Sequence, residues 1–217
     1  MPPMKILLPL LLAAAFLAGP ALAQQDGPPL AEAGAELVLD ALGQRLTLPR
    51  PDWLAEGASL AEQTSTYYAE DGGQARLEIY PRGESEAFWT TLYGARISRS
   101  AAPVLADFRS LVIGIYARAC RPETVALFQL EPDAGDDIPP LGFVCGAYRD
   151  GLPGYEGRGE VMVVGFYKSE TGMAMVYREW RGAAFDPADQ SSWPVSPETV
   201  EGQFARLKSA AGLSRAD

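Results

Sequence analysis

The segment Ser100–Arg149, SAAPVLADFRSLVIGIYARACRPETVALFQLEPDAGDDIPPLGFVCGAYR, decides the fold. Its first half places apolar residues at Val104, Leu105, Phe108, Leu111, Val112, Ile115, Tyr116 and Ala119. Steps of one and three alternate along that series, which predicts a long amphipathic helix with one buried face. Ser100 is the expected N-cap, with Pro103 accommodated in the first turn. Cys120 follows Tyr116 by four and shares the face, and Pro122 stops the helix. Thr124–Leu130 reads as a strand. In the next strand Leu141, Phe143, Cys145 and Ala147 alternate, so Cys145 points to the apolar side. Both thiols therefore face the core, and the expectation is a disulfide that staples helix to sheet.

The compartment follows from the N-terminus. Lys5 precedes an apolar run, Ile6–Gly19, which is too short to cross a bilayer comfortably. Pro20 breaks the run and Ala21-Leu22-Ala23 supplies small residues at a cleavage site, so residues 1–23 read as a secretory signal peptide. The two cysteines then lie in an oxidising compartment, periplasmic or secreted, and pair structurally. A redox-active pair is the alternative, but active dithiols sit close together, as in Cys-x-x-Cys. The formal net charge is −10, more negative still without Lys5. That charge disfavours nucleic acid and anionic membrane surfaces as partners and favours solubility. No second apolar run approaches membrane-helix length.

Residues 24–36, with Gly27-Pro28-Pro29, are expected as a flexible or extended lead-in, residues 37–210 as one domain, and residues 211–217 as a frayed tail. Within the domain, Leu37–Leu39 and Arg45–Leu48 form a hairpin around Gly43. Ser59–Glu62 reads as a helical turn. Thr64–Tyr68 and Ala75–Tyr80 read as strands joined by Asp71-Gly72-Gly73. In the second of these, Leu77 and Ile79 form a buried face, and Arg76, Glu78 and Tyr80 a solvated one. Ser85 reads as the cap of a short helix carrying Phe88, Trp89 and Leu92, ended by Gly94, with Ala95–Ser98 extended. Val161–Tyr167 is apolar on both faces and reads as a central strand, paired with Met173–Trp180 through Ser169–Gly172. Ser196-Pro197-Glu198 opens a last helix with the stripe Val200, Phe204 and Leu207. The predicted class is α+β, a largely antiparallel sheet with two main helices packed on it.

The chain contains no histidine, which removes Ser-His-Asp and Cys-His nucleophile systems and histidine-ligated zinc. Two cysteines cannot build a cysteine-rich metal site. Lys168 and Lys208 are not in a Ser-x-x-Lys pattern, and no glycine-rich loop has the Lys and helix of a phosphate site. No cofactor is therefore expected. The loop Glu131–Asp137 gathers carboxylates that suit calcium in type, but its spacing and prolines fit a solvated turn better. Trp53, Trp89, Trp180 and Trp193, with Phe88 and Phe185, lie near loops or element ends, where aromatics anchor partners or close the core.

The run Ile79-Tyr80-Pro81-Arg82-Gly83-Glu84-Ser85 to Trp89-Thr90, after Leu48-Pro49 to Trp53 and before the helix ending in Cys120, is similar to a group of uncharacterised exported bacterial proteins. That group resembles the PsbP-like fold, an antiparallel sheet with helices packed on it, over residues 44–208. The resemblance implies an accessory or binding role and transfers no active site. Three functional readings stand at this point. The first is a non-catalytic binding or accessory protein that engages a protein partner or a small ligand through Trp53, Trp89, Trp180 and Trp193. The second is a carboxylate-dependent hydrolase of cell-envelope material, which needs two acids converging in an apolar-walled pocket, one of raised pKa. The third is a calcium-stabilised structural protein using Glu131–Asp137.

Overall fold

The computed structural model describes residues 27–135 and 137–216. The expected signal peptide and cleavage site, the start of the expected lead-in, Asp136 and Asp217 lie outside them. The centre is a seven-stranded, wholly antiparallel sheet. Its strands are β4 (Thr64–Asp71), β5 (Gln74–Pro81), β6 (Thr91–Arg99), β10 (Gly172–Ala183), β9 (Arg158–Lys168), β8 (Leu141–Cys145) and β7 (Val125–Phe128), in that spatial order. A second sheet holds β1 (Leu30–Ala33), β2 (Glu36–Ala41), β3 (Gln44–Pro49) and β11 (Gly212–Arg215). The short α1 (Leu60–Gln63) leads into β4. The two longer helices, α2 (Leu105–Ala119) and α3 (Pro197–Ala210), lie on opposite faces of the large sheet. The class is α+β with a disulfide, as the patterning predicts.

Strand alternation builds three layers. Ala174, Val176 and Trp180 of β10 turn to the face covered by the small sheet and α3, where they meet Leu37, Leu46, Leu48, Val200, Phe204 and Leu207. Met175 and Tyr177 turn to the face that carries α2, with Phe143, Met162 and Val164. The Cys120–Cys145 bond, Cα atoms 5.7 Å apart, ties the end of α2 to β8. Local signals act where they were read. Leu42 (φ 57°) and Gly43 (φ 73°) both take the left-handed conformation that a two-residue hairpin turn between β2 and β3 requires. The Ser196 side chain accepts from the Thr199 amide, and Pro197 opens α3.

Four expectations change. The lead-in contains β1, which pairs with β2 around Gly34, and the expected frayed tail contains β11, which extends the small sheet along β3. The small sheet offers those two edges, and local composition carries no trace of them. Ser85–Leu92 is not a helix. Ser85 and Phe88 exchange backbone hydrogen bonds, and the Glu84 carboxylate accepts from the Thr90 amide at 2.8 Å and the Thr90 hydroxyl at 2.6 Å. That clamp delivers the chain directly into β6. Finally, α2 begins at Leu105, with Val104 as its extended N-cap residue. Pro103 disfavours helix in the residue before it, and the Ser100 amide instead donates to Thr171 of the β9–β10 turn.

Candidate functional site

One helix cannot cover one face of a seven-stranded sheet. Phe108 meets Phe166 of β9 edge-on at 5.8 Å, and Tyr116 meets Phe143 of β8 at 6.0 Å, so α2 lies over the β8–β9 half. The neighbouring floor, made by β5, β6 and β10, stays uncovered. There a groove of about 500 Å³ runs along the flank of the helix. Its far end is closed by Trp89, Tyr148, Leu152 and Tyr155.

The helix face explains the wall. Leu105 and Val112 are buried, with Phe108, Tyr116 and Ala119 packed beside them, whereas Leu111 is 60 % and Ile115 51 % exposed. At 100° per residue, Leu111 and Ile115 stand roughly 60–100° round the helix from Val112. The sequence reading placed them on the buried face; they form the apolar wall of the groove instead.

The floor is polar and mostly buried. Arg76, Glu78 and Tyr80 of β5, expected on a solvated face, lie on it, with Glu78 and Tyr80 buried. Tyr80 donates to Glu78 at 2.7 Å, and Arg76 approaches Glu78 at 3.4 Å. Glu160 of β9 and Arg181 of β10 are register partners and form a buried ion pair at 3.4 Å. The Arg181 guanidinium stacks 3.5 Å above Trp89 and 4.3 Å from Tyr155, while Tyr148 donates to Glu160. Gly94 makes room for the floor's central ring: a Cβ there would meet Tyr177 Cζ at 2.3 Å.

Glu179 is the odd member. It is buried beside Glu160, and Tyr116 of α2 donates to it at 3.0 Å. Burial, and then the charge of Glu160, push its pKa well above the ordinary glutamate value. Burial also raises Glu160, opposed by the Arg181 charge and by hydrogen bonds from Tyr148, Arg181 and Glu179. Glu160 and Glu179 therefore titrate as a pair whose ionisation burial disfavours, with Arg181 supplying the balancing charge on the Glu160 side.

The four tryptophans do not share a surface. Trp89 lines the groove. Trp53 and Trp180 flank the buried Arg178 guanidinium at 3.7 and 5.2 Å on the opposite face of the sheet. Trp193 packs on Phe128 at 5.8 Å, inside the α3 layer. Phe185 is partly buried there too, while Phe88 is 59 % exposed beside the Glu84 clamp. In the acidic loop, Glu131 pairs with Lys208 and Asp133 with Arg109, so their carboxylates diverge toward separate cations. Among the described residues no group of three or more potential ligand side chains could hold a metal ion. No helix among them is long and apolar enough to cross a membrane.

The groove residues Glu78, Arg96, Glu160, Glu179 and Arg181 escaped the sequence reading. One signal pointed to them: charged side chains at alternate positions on one face of a largely apolar strand, as Glu179 and Arg181 follow Met175 and Tyr177 in β10. Compared with family models, curated proteins and solved structures, the chain shows no match.

Proposed function

We propose that the protein is an exported, non-catalytic binding protein that holds a small amphipathic ligand in the groove beside α2. The observation that carries this reading is the groove itself: about 500 Å³, with an apolar helical wall, aromatic end and a floor of buried, oriented polar groups. Ligand sites combine such apolar surroundings with a few fixed polar contacts. The disulfide suits a periplasmic or extracellular address. The resemblance to the PsbP-like fold supports a binding role. The test is native mass spectrometry of the mature chain isolated from its own compartment, beside an Ile115→Arg variant. Wild type should carry a small molecule that the variant has lost. An empty wild type, or equal retention by both, counts against the reading.

The Glu160–Glu179 pair favours a second reading, the carboxylate-dependent hydrolase. Two adjacent buried carboxyls, both with raised pKa, inside an apolar-walled groove can share one proton and serve as base and acid. Hydrolysis of cell-envelope material by wild type and its loss in Glu179→Gln would support that reading. Equal turnover by the two would remove it.

A further inference from the structure

We infer that the groove takes an organic anion with an apolar tail, its carboxylate held by Arg96 and Arg76 at the open end and its tail along the flank of α2. This rests on the groove being a ligand site, and adds the chemistry of what it binds.

Arg76 of β5 and Arg96 of β6 are direct register partners, and both line the groove. Like charges placed opposite each other across a strand pair repel. The charge of Arg76 does oppose that of Arg96. Arg76 has compensation, since it reaches Glu78 at 3.4 Å and Glu86 at 3.5 Å. Arg96 has as its partner the Tyr177 hydroxyl, and no carboxylate among the described residues lies at ion-pair distance from it. Its guanidinium is therefore the groove's unneutralised cation, and a carboxylate can accept two parallel N–H bonds from it.

A second observation lies at the other end. Arg181 Nε is buried and has no acceptor, unlike every other buried side-chain nitrogen or oxygen lining the groove among the described residues. That end of the groove thus keeps one buried donor without an acceptor, apart from the Arg76–Arg96 doublet. Arg96 pairs in register with Met175, and Arg181 lies six residues further along β10, so the two ends are ~20 Å apart. Between them run Leu92, Phe108, Leu111 and Ile115, an apolar path for a medium-length tail.

The test compares one tail with three heads. Octanoate, octanol and octylammonium are titrated calorimetrically into the mature chain and into Arg96→Gln at equal ionic strength, with the Met175 methyl resonance reporting occupancy. Arg96 is exposed, so its replacement spares the fold. Octanoate should bind at least 10-fold tighter than octanol and octylammonium more weakly than either, since a charge-assisted bidentate contact separates the heads. Arg96→Gln should erase the octanoate advantage and leave octanol unchanged. Octanol binding as tightly as octanoate, octylammonium binding best, or an octanoate affinity indifferent to Arg96→Gln overturns the anion assignment while leaving the groove a ligand site. Absence of heat and of any Met175 shift with all three overturns both.

Discussion

Arg181 and Glu160 stand opposite each other on β10 and β9 and join at 3.4 Å, both side chains almost fully shielded from water. Around them, Trp89 and Tyr155 stack on the guanidinium and Tyr148 donates to the carboxylate. A buried pair of this kind gains little over an apolar pair, but removing one partner strands the other charge. Arg181→Met should lower unfolding free energy by about 3–5 kcal/mol in urea titrations. Arg181→Met combined with Glu160→Gln should recover part of that loss, because no charge is then left alone. A double variant as unstable as the sum of the two single losses would show that the residues do not act as a pair.

Gly94 offers a prediction about the floor. A methyl group there would overlap the Tyr177 ring, which is packed into the groove floor and can give way only toward the groove. Gly94→Ala should cost about 1–3 kcal/mol and displace the ring into the groove. Thermal unfolding and the aromatic proton resonances of Tyr177 check this. A variant of unchanged stability with unshifted resonances would contradict it.

The features legible in sequence are those set by near neighbours. Ser196-Pro197-Glu198 caps α3 through its own side chain, and Leu42-Gly43 turns β2 into β3 through its own dihedrals. The disulfide was legible because helix and strand periodicities each assign a face to its cysteine. The groove was not, because its existence depends on where α2 lies across the sheet. Leu111 and Ile115 have the same chemistry as Val112, and only the position of the helix over β8 and β9 leaves them outside. Glu78 looks solvated for the same reason, since alternation shows that it shares a face with Arg76 and Tyr80 but not that this face borders a helix. Likewise β1 and β11 depend on free edges of a sheet far away in sequence.

The Cys120–Cys145 bond closes a segment with a sequence separation of 25. On the chain-entropy account it stabilises by about 3.5 kcal/mol, by restricting the unfolded chain. Replacing both cysteines by Ser should lower the urea midpoint accordingly. It should also loosen the end of α2, which forms the groove wall beside Tyr148. Faster hydrogen exchange at Tyr116–Ala119, with α3 unchanged, is the expected pattern. Equal acceleration in both helices would mean that the bond acts on the whole fold and not on the wall.

Glu179 makes stability depend on pH with a definite sign. Burial and the neighbouring Glu160 hold its folded pKa above the unfolded value of 4.5. Between those two values the folded chain binds a proton that the unfolded chain has released, so stability falls as pH rises. The contribution is fully present below about pH 4.5 and is lost as pH climbs through the folded pKa. Glu160 acts in the same direction, tempered by Arg181. Asp133 acts in the opposite direction: hydrogen bonds from Arg109 and Gln129 lower it to about 2, so its contribution is present above pH 3.8 and fades only in stronger acid. The window above pH 4.5 therefore isolates the groove pair. Glu179→Gln cannot ionise, and its stability relative to wild type should rise as pH climbs above 4.5 and level off once pH passes the folded pKa, as urea titrations would read. Parallel curves for the two proteins above pH 4.5 would mean that Glu179 titrates like a solvated glutamate.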